Sequence, residues 1–329
     1  MNVLITGAAG FIGNALARRL HTDGTLGTMP VATITLLDTS FPPGPQMSHP
    51  VRYLRGSLSD RELIRASWGD GFDVIFHLAS IPGGAAEQNY ELSRDVNILG
   101  TMDLLEAARA QSERVGARPK LVFASTIAVF GSPLPALIDD DSAVNPRMTY
   151  ASQKLIGETL IADFSRRGWV DGRSLRLAGV LARPPAKTGQ LSGFMSDMIR
   201  ELALGRSFVC PMSAGATTWA ASIHNVVTNL IHAAVLDDSA VSARRTITLP
   251  ALRFSMEELV DAIAFTHGND IRHRVRYEPN PLLEDLFGCF PALRTTFADE
   301  AGFRNDGDLP ALIRGALDTV DADAMRLPI

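Results

Sequence analysis

The run Val3-Leu4-Ile5-Thr6-Gly7-Ala8-Ala9-Gly10-Phe11-Ile12-Gly13 decides the fold. A short apolar, β-rich stretch ends in a G-x-x-G-x-x-G loop, and Phe11 to Leu20 then continue with helical spacing. Gly7, Gly10 and Gly13 let backbone come close to a pyrophosphate. The N–H groups of Phe11 and Ile12 would face it at the positive end of the helix. An ordinary tight strand–helix turn has the same outline. What favours cofactor binding is the position of the loop, straight after a strand and opening a helix.

The same alternation continues outward from this loop. Val3 to Thr6, Ala32 to Leu37, Val51 to Leu54, Asp73 to His77, Lys120 to Ala124 and Ser174 to Val180 read as buried strands. Phe11 to Leu20, Arg61 to Trp68, Val96 to Ala110 and Tyr150 to Arg166 read as helices. Strand–helix alternation implies parallel strands joined by right-handed crossovers, hence an α/β fold with a doubly wound sheet. Near Pro184-Pro185 the rhythm changes. Phe194 to Ala203, Met256 to Thr266, Pro281 to Leu286 and Pro310 to Val320 are helix-like, and Thr246 to Leu249 reads as a strand returning to the sheet. The expected division is a nucleotide domain over 1–181 with a return segment over 217–252, and a smaller, discontinuous substrate lobe over 182–216 and 253–329.

Composition narrows the class. The 329 residues are 46% hydrophobic and 20% charged, as in a globular protein. Lys+Arg number 31 against 36 Asp+Glu, a net −5 that offers no general attraction to nucleic acid or an anionic membrane. Two cysteines, Cys210 and Cys289, cannot frame a disulfide scaffold, which fits a reducing compartment. No apolar run approaches the ~20 residues of a bilayer span. Met1 leads directly into the first strand without a basic or apolar leader, so a cytoplasmic protein is expected.

Asp38 ends the second strand. A carboxylate there can accept hydrogen bonds from an adenosine ribose and would repel a 2′-phosphate, which favours NAD over NADP. The alternative is that it merely caps the turn towards Thr39-Ser40. Further on, Tyr150 and Lys154 stand one helical turn apart on one face. A phenol of reference pKa about 10 is a poor base near neutrality, and an adjacent ammonium makes it a better one. An isolated Y-x-x-x-K is common on solvated helices. It gains specificity from Phe123-Ala124-Ser125-Thr126, a hydroxyl-bearing strand end about twenty-five residues upstream.

Taken in order, Gly7/Gly10/Gly13, Asp38, His77-Leu78-Ala79, the N-x-x-G-T segment Asn97 to Thr101, Ser125-Thr126 with Phe130-Gly131, and Tyr150 with Lys154 resemble the extended short-chain dehydrogenase/reductases. That family has a Rossmann domain and includes nucleotide-sugar epimerases and dehydratases. The resemblance implies that Tyr150 is the acid/base and that Lys154 holds the nicotinamide ribose and tunes Tyr150. Thr126, five residues before Gly131, takes the place of the hydroxyl that binds the reacting oxygen, with Ser125 beside it as the other candidate. Leu78, Ala79 and Ser80 would line the cofactor, Ser80 also the substrate, and Asn97 belongs to the cofactor set. Gly56-Ser57-Leu58 falls where the family often has Gly-Asp-Leu at the adenine, so Ser57 replaces an aspartate. The resemblance further implies a homodimer formed through Val96 to Ala110 and the Tyr150 helix.

Within the family two substrate classes compete. Nucleotide-sugar enzymes often carry an Arg-Asp-Phe-like motif. Here Thr217-Thr218-Trp219 stands in its place, followed by Ala220-Ala221-Ser222, without the arginine. Dehydratases commonly have Asp-Glu after the active-site threonine, where Ile127-Ala128 stand here. Tyr150 to Lys154 as Y-A-S-Q-K, Asp163 to Gly168, Arg183-Pro184, Ser192-Gly193-Phe194 and Trp219 with Ala221-Ser222 resemble a branch that oxidises a four-carbon sugar acid, D-erythronate, with NAD. A hydroxy acid needs a carboxylate anchor, for which Arg183 and Lys187 are candidates; either could instead be plain surface charge. Trp219 is a candidate substrate wall, although a core role is commoner for tryptophan. The seven histidines show no ligand spacing, and Asp139-Asp140-Asp141, which could imitate a divalent-ion site, reads as a solvated loop between Pro135 and Pro146, so no metal is expected. A catalytically silent NAD-binding scaffold is the remaining alternative, against which the intact Tyr150 and Lys154 argue.

Overall fold

The structure is a computed structural model and describes residues 1–41, 47, 50–69, 71–183, 193–241 and 245–324. The chain forms two units, one of Met1–Val129, Pro146–Arg176 and Val227–Thr248, the other of Phe130–Asn145, Leu177–Val226 and Leu249–Ile329.

The first unit is built on a seven-stranded sheet. Its strands are β1 (Asn2–Thr6), β2 (Thr33–Asp38), β3 (Val51–Arg55), β4 (Val74–His77), β5 (Lys120–Thr126), β6 (Asp171–Leu177) and β7 (Thr246–Thr248). They lie in the order β7-β6-β5-β4-β1-β2-β3, with β1 parallel to both β2 and β4. Strand order reverses between β1 and β4. In a doubly wound sheet that switch point opens the ligand crevice at the carboxyl ends of the strands, which here bear Gly7, Leu78, Asp38 and Thr126. The main helices are α1 (Phe11–Asp23), α2 (Arg61–Ser67), α3 (Gly100–Val115) and α4 (Thr149–Arg166). Leu4, Ile75, Leu121 and Phe123 of the strands pack with Leu104, Leu105, Ala108 and Ile161 of the helices in one core.

Three sequence expectations change. The helix read over Val96 to Ala110 begins with a π turn, Asp95–Leu99, before α3. At its junction Gly100 meets the strand-end loop so closely that a Cβ would lie 2.8 Å from Cβ of Leu58. The strand read over Ser174 to Val180 divides into β6 and Gly179–Leu181, which belongs to the other unit. The sequence from His21 to Pro30 reads as an inserted loop; in the structure α1 runs on to Asp23, and a small hairpin of Thr25–Leu26 with Met29–Pro30 follows, entered through the left-handed Gly24.

The second unit has a three-stranded sheet in which Thr217–Ser222 runs parallel to Gly179–Leu181 and antiparallel to Leu252–Ser255. Of the return segment over 217–252, therefore, Thr246–Thr248 joins the main sheet, parallel to β6, while Thr217–Ser222 does not. Phe130–Asn145 also falls in this unit, because Leu137–Ile138 pairs with Ala292–Leu293. The unit's core gathers Met195, Met198, Phe254, Leu259, Ile263 and Leu312. Ser255 and Glu258 form a capping box at the start of helix Met256–His267.

Candidate active site

On the cofactor side, Gly7 takes φ +69°, and its N–H donates to the Leu37 carbonyl at 2.9 Å. A side chain there would be strained and would also put a Cβ 2.7 Å from the Ala79 backbone. Gly13 is tighter still, its hypothetical Cβ lying 2.1 Å from the Gly7 carbonyl oxygen. These contacts press α1 against the loop. Gly10, the residue before α1, makes no side-chain cap. The first-turn N–H groups of this 13-residue helix thus present a positive end with no side chain closing it. At the end of β2 the Asp38 carboxylate accepts from Ala9 N–H at 2.9 Å through Oδ2, and through Oδ1 from Thr39 N–H at 2.7 Å and the Thr39 hydroxyl at 3.4 Å. Oδ2, with one bond, keeps acceptor capacity for a ribose hydroxyl. Glycine cradle, open helix end and carboxylate fit a dinucleotide carrying an unphosphorylated ribose.

Beyond β4, a buried hydrogen-bond chain fixes the next wall. The Thr101 hydroxyl donates to the Asn97 carbonyl at 2.7 Å, so toward His77 it must accept, and His77 carries its proton on Nε2. His77 Nδ1 then accepts from the Thr6 hydroxyl at 2.8 Å. The Thr6 oxygen in turn accepts the N–H groups of Leu78 and Ala79 at 3.2 Å. Burial, with the nearby Lys154 charge adding to it, lowers His77 to about 3 and keeps it neutral. The Asn97 side chain clamps Ile81: its Oδ1 accepts from Ile81 N–H at 2.8 Å, and its Nδ2 donates to the Ile81 carbonyl and to Gln153. The Asn97 side chain is thereby committed to holding the Leu78–Ile81 segment, on which Ser80 is half-buried.

The residues expected to do the acid/base chemistry lie on α4 and β5. Tyr150 occupies the first turn of α4, half-buried, and Lys154 follows one turn later, buried. The Lys154 ammonium stands 4.6 Å from the Phe123 ring centroid and 5.6 Å from that of Tyr150. Gly157 lets the helix come down on Phe123, since a Cβ there would be 2.7 Å from the ring. Burial draws Lys154 down to about 7, and the Glu158 carboxylate opposes it.

Ser125 and Thr126 part company. The Ser125 hydroxyl is buried and donates to Glu158 at 2.5 Å. Arg176 on β6 grips the same carboxylate at both oxygens, at 3.0 and 2.8 Å. Thr126 is half-buried, and its oxygen accepts Ala128 N–H at 3.1 Å, which leaves its O–H as a donor.

The remaining residues are placed as follows. Ser57 bonds Ser59 in the turn after β3, and Leu58 is buried in the core. Trp219 is buried in the second unit, with its indole N–H donating to the Pro291 carbonyl and its ring against Phe290; it packs as a core residue. Arg183 is in the second unit, its N–H donating to the Ser196 hydroxyl, and Lys187 lies outside the described residues. Asp139 and Asp140 serve structure: they accept from Ser142, Arg294 and the Phe297 N–H. Glu158, Arg176, His77 and Gln153 were not singled out as site residues in the sequence. Glu158 carried a signal, for it stands one turn past Lys154 on the same face.

A seven-stranded sheet with this switch point, a glycine cradle and a Tyr–Lys pair on one helix define a dinucleotide-dependent oxidoreductase of the short-chain type. Residues 3–219 match the NAD dependent epimerase/dehydratase family. D-erythronate dehydrogenase of Cupriavidus necator is 36% identical over 97% of this chain and 98% of its own. That of Haemophilus influenzae is 31% identical, over 95% and 98%. A crystal structure described as a nucleoside-diphosphate-sugar epimerase, from Agrobacterium tumefaciens, is 35% identical with a TM-score of 0.90, covering 97% of this chain and 94% of its own. The chain belongs to the NAD dependent epimerase/dehydratase family and is an NAD-dependent dehydrogenase acting on a CH–OH group.

Proposed function

We propose that the protein oxidises the C2 hydroxyl of D-erythronate to 2-dehydro-D-erythronate. The observation that carries this is the similarity along nearly the whole chain to two D-erythronate dehydrogenases. It is supported by the strand Thr217–Ser222, where a nucleotide-sugar enzyme would offer an arginine to the pyrophosphate. Thr218 and Trp219 are buried there instead. Ile127-Ala128 after Thr126 likewise removes the acid/base pair of a dehydratase.

Gly7, Gly10, Gly13, the first turn of α1 and Asp38 would hold NAD, which would supply the acceptor for the hydride from C2. The Tyr150 phenolate takes the hydroxyl proton of C2, and the neighbouring Lys154 ammonium favours that phenolate. Thr126 donates a hydrogen bond to the same oxygen as C2 becomes a carbonyl. Ser125 faces Glu158 and acts behind Thr126. Ser80 borders the substrate, and Arg183 and Lys187 are the proposed anchors for its carboxylate. The two cysteines are free, in keeping with a cytoplasmic enzyme. Among the described residues no helix is long and apolar enough to cross a membrane.

The epimerase reading has one specific support, the 35% identical structure described as a sugar-nucleotide epimerase. The deciding test measures NADH formation with NAD and D-erythronate, L-erythronate, both threonates and D-glycerate. UDP-glucose and UDP-galactose are followed in parallel for epimerisation. Turnover of D-erythronate that disappears in Tyr150→Phe is expected. Conversion of a nucleotide sugar with none of the acids would replace this reading by the epimerase; inertness toward all of them would favour a silent scaffold.

A further inference from the structure

The acid/base helix carries one buried carboxylate that the reaction above does not use. Glu158 is 4% exposed and lies one turn beyond Lys154, between two cations. One is Arg176, which holds it with two hydrogen bonds, and the other is Lys154, whose ammonium it stabilises. Its oxygen Oε1 also takes the Ser125 hydroxyl, in the residue next to Thr126. A single carboxylate thus touches β5, β6 and the turn of α4 that follows Lys154.

We propose that Glu158 is a positioning residue of the acid/base pair: it fixes the Ser125–Thr126 strand end and keeps the proton of the Tyr150–Lys154 pair on Lys154. This rests on the reading of Tyr150 and Lys154 as that pair. With one proton shared between them, the pair is either phenolate with ammonium, which reacts, or phenol with amine, which does not. Burial favours the second arrangement, because it penalises the ammonium and brings Lys154 down to about 7. A carboxylate one turn away on the same face favours the first. Removing its charge lowers the proton affinity of Lys154. The first proton of the pair then leaves at lower pH, and the species that remains is more often the unreactive one.

Among the described residues few other charges face Lys154. Tyr150 and Glu158 share its helix, His77 on β4 is neutral, and β5 presents the Phe123 ring. Arg176 of β6 lies behind Glu158. On the helices packed against α4, Glu91 and Arg114 are exposed, and the following charges are engaged elsewhere. Glu87 accepts from Thr149, Arg94 pairs with Asp95, Asp103 with Arg61 and Glu106 with Arg109.

The test is the pH profile of kcat for the NAD-loaded enzyme with D-erythronate, comparing wild type, Glu158→Gln and Tyr150→Phe. In Glu158→Gln the plateau is expected to fall about tenfold while the acidic limb moves down by about one pH unit. A merely structural defect lowers the plateau and leaves the limb in place. Because Glu158→Gln leaves Arg176 without a counter-charge, the double variant Glu158→Gln/Arg176→Met is measured beside it and is expected to show the same displaced limb. Wild-type limbs in both folded variants would overturn the proposal. Should Tyr150→Phe stay active, the assignment of the pair itself fails, an outcome distinct from an inert Tyr150→Phe accompanied by an unmoved Glu158→Gln limb.

Discussion

Ser125 and Thr126 show how far single residues can be read. Adjacent positions on a strand point to opposite faces, so the Ser125 hydroxyl faces the packed helix and that of Thr126 the opposite side, where the proposed reaction takes place. The sequence holds both hydroxyls but not the partner that separates them. That partner, Glu158, comes 33 residues later and accepts from Ser125. Tyr150 and Lys154 were legible because their spacing alone puts them on one face. Thr126→Ala should lower kcat about a hundredfold, the usual effect of removing a donor to a developing oxyanion. Ser125→Ala loses one neutral-to-carboxylate bond away from the substrate, and kcat should stay within about tenfold of wild type. Steady-state kinetics on the two variants decides; equal losses would return Ser125 to the reacting oxygen.

At the scale of elements, strands and helices whose signals are local were readable, while those defined by contacts were not. The run from Phe11 declares itself by glycine loop and periodicity. The π turn Asp95–Leu99 has no such signature, because the backbone widens where Asn97 reaches Ile81 and Thr101 reaches back to the Asn97 carbonyl. That turn belongs to the chain through His77 that ties β1 and β4 to α3. His77 is neutral and lowered to about 3 in the fold, whereas an unfolded histidine titrates near 6.5. Between those values the unfolded chain binds the extra proton, so its contribution to stability is complete above about 6.5 and is lost as pH falls toward 3. Thermal midpoints should therefore fall on acidification from pH 7 to pH 4. In His77→Gln, which can still donate to Thr101 and accept from Thr6, the fall should be shallower. An identical slope in both proteins would show that other groups govern acid sensitivity.

At the scale of the whole molecule, the alternation of strand and helix predicted the sheet, but the division into units follows long-range pairing that no local pattern encodes. Residues 130–145 join the second unit through the pairing of Leu137–Ile138 with Ala292–Leu293 and the grip of Asp140 on Phe297 N–H, about 150 residues away in sequence. The association of two chains that the family resemblance implies would have a more local signal. The helices named for a dimer by family resemblance expose apolar side chains: Leu99 is 49% exposed at the head of α3, and Ile156 is 41% exposed on the adjoining α4. Ile156 borders a shallow apolar depression with Pro146, Leu155 and Leu160. Fully covering one such side chain contributes about 1.5–3 kcal/mol, and twofold symmetry counts each contact twice. We propose a homodimer through this face. Light scattering at micromolar concentration should give twice the 35.4 kDa chain mass. Leu99→Glu/Ile156→Glu, which buries two carboxylates per chain if the face stays closed, should give the single-chain mass with unchanged circular dichroism. A wild-type protein that already runs at one chain mass would show that α3 and α4 keep these residues in water.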